Sequence, residues 1–343
     1  MANSLTSLVH KAGAAEIAGV LIITAAFLIP VLTTNPMIYS VANQVLIAVT
    51  AAFSVYIMLR MDLLTFAVPT FMAVGGYTAA TAGLSFGITN LIVLTILAFA
   101  VPALCALPLG ALVLRLRGVY FVLVTFILTE ITQLVLFETP TLTGGSNGLV
   151  GMPAVTLFGL ILGDNQAVLL VTTGLTLLGA IITAVVTRVF RQYFAAIEEN
   201  ETLAQSLGLV VWHYKALGFV IAAGVSGLAG FALVNMLLTA HPTSFSPLSS
   251  VNYIAYTIVG GKSSILGSIF GGTLLVWASD LFAIRGEYSQ GLFGFLIVFV
   301  VLVAKDGIVG TALDWFQRRR VARRAETPPP TPHSASLASG GRP

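Results

Sequence analysis

About ten apolar stretches, separated by short polar or basic breaks, fill the chain between residues 17 and 304. They cover residues 17–32, 41–59, 63–83, 88–114, 119–137, 167–187, 216–238, 248–261, 265–282 and 291–304. Most approach the roughly 20 residues that carry an α-helix across a bilayer. None alternates residue by residue as a barrel strand does. Lipid offers no partners for backbone N–H and C=O groups, so helices that satisfy these groups internally are expected. The pattern predicts an all-α polytopic membrane protein, a bundle of about ten membrane-crossing or re-entrant helices. The third stretch contains Pro69 and the pair Gly75-Gly76, which predicts a discontinuous or kinked helix. The segment around Tyr253 is short and could be re-entrant. The first stretch is long for a signal-peptide core and further spans follow at once, so it reads as an uncleaved span.

Composition agrees with the pattern. Hydrophobic residues make up 57% of the chain and charged residues 8%, against about 25% charged in a soluble domain. So little charge cannot coat a globule of 343 residues, which excludes a large soluble core. The single Cys105 excludes an internal disulfide.

The placement of charge says more than the net value of +3. Lys11, Arg60, Arg115, Arg117, Arg188, Arg191, Lys215, Lys262 and Lys305 fall on one side when about ten crossings are counted, with Arg285 the one loop exception. Both termini and the long charged loop are then cytoplasmic, in a multi-pass membrane protein. Residues 1–16 form a cytoplasmic N-terminal segment and 17–304 the membrane domain, with 188–215 as its long loop. Residues 305–343 form a basic, then Pro/Ser-rich tail, expected to be disordered. The Arg318–Arg320 cluster reads as a basic stop at the membrane face; it lacks the folded platform that nucleic-acid binding would need.

Motif searches exclude several classes. Gly261-Lys262-Ser263 looks like the end of a phosphate-binding loop, but Tyr256 stands where the first glycine is required. This chain is therefore expected to hold no ATP or other cofactor. The four histidines are scattered, giving no metal site and no catalytic pair. No nucleophile–base arrangement suggests an enzyme.

Within the spans, small residues recur at helix-face spacing: Gly224, Gly227 and Gly230; Gly267 and Gly271; Gly76 and Ala80. Such faces let helix backbones approach closely. In the fifth span, Thr125, Thr129, Thr132 and Gln133 share a face with Glu130 at its edge. A carboxylate near mid-bilayer costs roughly 2.5–3.5 kcal/mol, so Glu130 should face the bundle interior, water or a partner. It either lines a substrate path or bonds a neighbouring helix. Asn43 and Gln44 in the second span are further path candidates, although amides also serve as interhelical glue.

The loop 188–215 is the polar centre of the chain. Asn200 can cap a short helix, acidic residues stand in its first turn, and Gly208 can end it. Leu203 and Leu207 lie four apart with Ala204 beside Leu203, forming an apolar strip. Helices that lie on lipid usually carry Lys and Arg on their polar face, whereas this one carries Glu198, Glu199 and Glu201. A protein partner fits it better than anionic lipid.

Three groups of residues resemble LivM-type permease subunits of bacterial ABC importers for branched-chain amino acids. They are Thr129-Glu130-Ile131 with Thr143-Gly144-Gly145-x-Asn147-Gly148; Ala196-Ile197-x-Glu199-Asn200-Glu201 with Gly208 and Tyr214-Lys215; and Gly260-Gly261 with Gly267. The stretch from Phe71 to Ala80 is similar as well. The resemblance implies an importer in a bacterial inner (plasma) membrane. A periplasmic binding protein would deliver a hydrophobic amino acid, and two permease subunits, this chain with a LivH-like partner, would form the pathway. ABC ATPase subunits would drive it, binding ATP themselves, and the loop from Glu199 to Gly208 would couple them to this chain. Two departures stand out: the family usually has Arg where Glu198 stands, and its Gly-x-x-Ser-x-Gly-His-like lead-in to the third span is replaced by the residues from Asp62 to Pro69. The competing reading is a self-sufficient proton-coupled secondary transporter of small polar solutes, with Glu130 carrying the proton.

Overall fold

The computed structural model describes residues 16, 18–33, 35–262, 264–283, 289–303 and 307–310. The expectations for Lys11, Arg285, Lys305 and the basic tail lie outside them. The described chain is a helical bundle: α1 (Ala18–Leu28), α2 (Pro36–Leu59), α3 (Val68–Phe86), α4 (Leu91–Val113), α5 (Val119–Glu138), α6 (Asn165–Val189), α7 (Arg191–Glu199), α8 (Glu201–Ser206), α9 (Val211–Leu237), α10 (Pro247–Gly260), α11 (Ile265–Ala283) and α12 (Ser289–Val303). Helices α2, α4, α5, α6, α9 and α11 are long and apolar enough to cross a membrane. Two small antiparallel ribbons decorate one end. Leu149–Val150 (β1) pairs with Thr239–Ala240 (β4), and Val155–Leu157 (β2) with Leu160–Leu162 (β3).

Local chemistry sets the helix starts. The Asn35 side chain accepts the Met37 N–H at 3.0 Å, and the Asn90 side chain accepts the Ile92 N–H at 2.9 Å, each occupying a donor left open at a helix start. The expected break in the third span is absent. Pro69 lies in the first turn of α3, where a missing N–H costs nothing, and Gly75-Gly76 sits inside a continuous helix. The irregular backbone lies just before it, at residues 60–67.

The glycine faces explain the packing. A Cβ on Gly230 would stand 1.9 Å from the Met72 carbonyl oxygen, and one on Gly75 would stand 2.4 Å from the Gly227 Cα. Thus α9 crosses α3 almost backbone to backbone. Against α4, a Cβ on Gly227 would meet the Ala98 carbonyl oxygen at 2.0 Å. Pro102, four residues on, has no N–H to offer that carbonyl, so the open side of α4 is where α9 presses in. Gly267 and Gly271 bring α11 equally close to α10, with Cβ positions 2.0 Å from the Gly261 and 1.9 Å from the Tyr256 carbonyl oxygens. Elsewhere hydroxyls join the helices: Thr50 donates to Thr176 at 2.9 Å, and Thr176 donates to the Leu46 carbonyl at 3.2 Å.

The short α10 has 14 residues, too few to cross a bilayer. Near its start, the Ser250 hydroxyl donates to the Phe66 carbonyl at 2.6 Å, just before α3 begins. At the far end, Gly144 and Gly148 have φ of +75° and +66°, and a Cβ on Gly144 would overlap the Gly148 carbonyl oxygen at 2.1 Å. The Thr143–Gly148 motif is therefore a tight turn leading into β1, braced where His241 Nε2 lies 3.0 Å from the Ser146 carbonyl oxygen.

Candidate functional site

Two helices at the basic end of the bundle make an angular knuckle. The sequence pattern predicted one short helix capped by Asn200, and α8 is that helix; a second, α7, precedes it, and the backbone turns between them at Asn200, which is extended at φ −161°. Glu198 and Glu199 therefore end α7, and Glu201 alone occupies the first turn of α8. The cap forms as expected: Asn200 Oδ1 accepts the Leu203 N–H at 2.9 Å. Gly208 has φ +89° just past α8, a left-handed turn that side chains resist. The apolar strip divides. Ala204 is buried in the core, while Leu203 and Leu207 are 56% and 81% exposed, with Val210 also outward.

Four ion pairs lock the knuckle to the bundle. Glu201 accepts Lys215 Nζ at 2.8 Å and Arg117 at 3.4 Å. Glu198 accepts Lys262 at 2.9 Å and Arg60 at 3.2 Å. The residue that departs from the resemblance thus spends its charge within this chain, tying α7 to the ends of α2 and α10. Sequence reading missed this cluster because 138 residues separate Arg60 from Glu198. The available signal was the gathering of span-ending cations on the side that carries the acidic loop. Glu16, Arg188 and Arg191 lie close enough to feel one another here. Partial burial raises the Glu16 carboxyl above its ordinary range, and Arg188, Arg191 and Arg60 pull it partly back.

The fifth-span face, now on α5, also divides. Thr125 and Thr129 are buried and serve the irregular backbone before α3. The Phe66 N–H donates to Thr125 at 3.2 Å, and Thr129 donates to the Phe66 carbonyl at 2.8 Å and lies 3.0 Å from the Thr70 hydroxyl. The two threonines brace the bundle rather than standing open. Gln133 reaches the Pro242 carbonyl at 3.4 Å. Glu130 is exposed, on a face with exposed Ile127, Ile131 and Leu134. Asn43 is buried; its amide donates to the Tyr39 carbonyl at 3.0 Å and its Oδ1 has no partner. Gln44 is exposed and lines a polar cavity with residues of α9, α10 and α11. The candidate path residues are thus not gathered into one site. Among the described residues no cluster suits a metal ion.

Comparison with known proteins gives consistent matches. The family model described as the branched-chain amino acid transport system / permease component matches residues 37–301. The high-affinity branched-chain amino acid transport system permease protein LivM of Salmonella typhimurium is 30% identical over 264 residues, 70% of this chain and 62% of the relative. The protein of the same name from Escherichia coli is 29% identical over the same shares. The ribose import permease protein RbsC of Haemophilus influenzae is 24% identical over 127 residues, 35% of this chain and 39% of its own. The match thus spans about 62% of the LivM relatives' length. No solved structure matches. With the matched region running from the second residue of α2 almost to the end of α12, the chain belongs to the family of permease components of branched-chain amino acid transport systems.

Proposed function

We propose that this chain is the permease subunit of an ATP-driven importer in a bacterial inner membrane, moving branched-chain or other hydrophobic amino acids. A periplasmic binding protein delivers the solute, a second permease subunit completes the pathway, and ABC ATPase subunits dock on the cytoplasmic knuckle. Both termini are cytoplasmic, and the bundle has about ten crossing or re-entrant segments. The observation that carries this reading is the knuckle itself. Leu203, Leu207 and Val210 are held outward on a scaffold fixed by four ion pairs. Exposed leucines on a rigid, acid-bearing cytoplasmic projection suit a protein groove better than an anionic membrane surface. Glu130, exposed on α5 with apolar neighbours, lies on the pathway side facing the second permease, where the cost of an intramembrane carboxylate is relieved.

Affinity purification of the tagged chain should bring down an ATPase and a second permease. Liposomes carrying that complex and the binding protein should accumulate labelled leucine only with ATP. Accumulation by the purified chain alone under a pH gradient would establish the proton-coupled carrier instead.

A further inference from the structure

We infer that the polar cavity between α2, α9, α10 and α11 binds the ammonium group of a small amino-bearing solute, with Asp280 as its counter-charge. The cavity measures about 320 Å³, within the ~300–1,000 Å³ of small-ligand sites. Its polar walls are Gln44 from α2, Tyr253 and Tyr256 from α10, and Ser279 and Asp280 from α11. It lies in the half of the bundle away from the knuckle. Gln44 is near the start of α2, whose other end carries Arg60, and Asp280 is near the end of α11, whose other end follows Lys262.

The lining selects the ligand class by charge. Asp280 has no hydrogen-bond or ion-pair partner among the described residues. An aspartate in a membrane-spanning helix is costly, and one that persists faces a polar cavity or a counter-charge. The other polar groups of the lining are neutral, so Asp280 alone sets the charge of the site. Gln44 and the two tyrosine hydroxyls can accept hydrogen bonds from an ammonium, and among the described residues no Lys or Arg lines the cavity. The Tyr253 and Tyr256 rings, both on the lining, stand edge to face at 6.1 Å and 71°, and a tyrosine ring face attracts an ammonium. An adjoining hollow of about 530 Å³, lined by residues such as Ile29, Val45 and Trp277, shares Asp280 but is otherwise almost wholly apolar. It suits a hydrocarbon chain, which is why the ammonium is assigned to the polar side. The inference deepens the amino-acid permease reading and rests on it for the solute's identity. Under that reading the cavity is a holding place on the outward-facing half.

The test uses the full chain, purified with its partners into nanodiscs, with radiolabelled isoamylamine and 4-methylpentanoate as probes. They share one branched skeleton and carry opposite charges. Isoamylamine should bind saturably and 4-methylpentanoate should not. Asp280→Asn should weaken amine binding at least tenfold, and Gln44→Ala about threefold, with gel-filtration profiles unchanged. Equal binding of both probes, no saturable amine binding by the wild-type complex, or wild-type affinity in Asp280→Asn overturns the inference. If Asp280→Asn does not fold, the contrast between the two probes on the wild-type protein decides. ATP-driven leucine uptake that Asp280→Asn leaves intact sinks the cavity and spares the importer. Asp280-dependent amine binding in a complex that transports no amino acid does the reverse.

Discussion

Reversing the charge at Glu198 tests whether the knuckle is held by the ion pairs that the structure places there. The Glu198 carboxylate gives one oxygen to Arg60 at 3.2 Å and the other to Lys262 at 2.9 Å. The Arg60 and Glu198 side chains are 19% and 21% exposed, whereas Lys262 is 57% exposed. The first pair therefore belongs at the upper end of the surface range, about 1 kcal/mol, and the second nearer 0.3 kcal/mol. Glu198→Arg replaces both attractions with repulsions of similar size, a change of roughly 2–3 kcal/mol. Each 1.4 kcal/mol is about tenfold in an equilibrium, so ATP-driven uptake should fall about tenfold or more if the knuckle must sit where it is. Membrane abundance should hold, because the bundle core does not include Glu198. Adding Arg60→Glu turns a repulsion of about 1 kcal/mol back into an attraction of similar size and should recover about 2 kcal/mol of the loss. The effect should shrink in high salt. Wild-type uptake in Glu198→Arg, or a double variant no better than the single one, would refute the reasoning.

Leu207→Asp changes a side chain that is 81% exposed, so the protein should purify normally yet lose the ATPase in pull-downs; full retention would count against docking there. Gly227→Val places atoms where a Cβ already lies 2.0 Å from the Ala98 carbonyl oxygen and should abolish monodisperse protein. Gly174→Ala, in a helix with nothing within 4 Å of the new atom, should be neutral or stabilising by up to about 1 kcal/mol. Equal behaviour of the two variants would dismiss backbone-level packing as the cause. Burial raises the Glu16 carboxyl above its ordinary value; the folded state then holds the proton more tightly than the unfolded one, so stability falls as pH rises from the ordinary value through the raised one. Glu16→Gln should flatten that part of a melting-temperature profile, and an unchanged slope would contradict it.

The spans were legible because hydrocarbon length is a one-dimensional signal: 119–137 became Val119–Glu138, and 167–187 became Asn165–Val189. The glycine faces were legible too, since spacing fixes which residues share a side of a helix. The chemistry of α5 was less so. Periodicity put Thr125, Thr129 and Glu130 near one another but could not say that the threonines would meet the Phe66 backbone while Glu130 turned away. That depends on an irregular stretch, residues 60–67, whose unpaired backbone groups need side-chain partners. The ion pairs of Glu198 were hidden for a related reason: its partners come from the ends of two distant helices, and only the folded bundle makes them neighbours. The polar cavity has the same origin, its residues reaching from Gln44 to Asp280 along the chain.

Helix α9 joins the two ends of this arrangement. Its first turns carry Lys215, which holds Glu201 of the knuckle at 2.8 Å, and its later turns carry Leu233, which lines the polar cavity. Its 27 residues span about 40 Å. Between those points its glycines press directly on the backbones of α3 and α4. Contacts of that kind have no side chain to yield, so a displacement of α9 must carry α3 and α4 with it or separate them outright. Force applied at Leu203 and Leu207 would then pass through Glu201 and Lys215 into a three-helix unit rather than be lost in flexible packing. The same unit reaches Phe66 before α3, whose carbonyl is shared by Thr129 of α5 and Ser250 of α10. Any shift of α3 is therefore felt by the helix that carries Glu130 and by the helix that carries Tyr253 and Tyr256. A coupling route from knuckle to solute need not run along a chain of adaptable side chains. Under the proposed docking it would be set by where glycine removes them and where two hydroxyls grip one carbonyl.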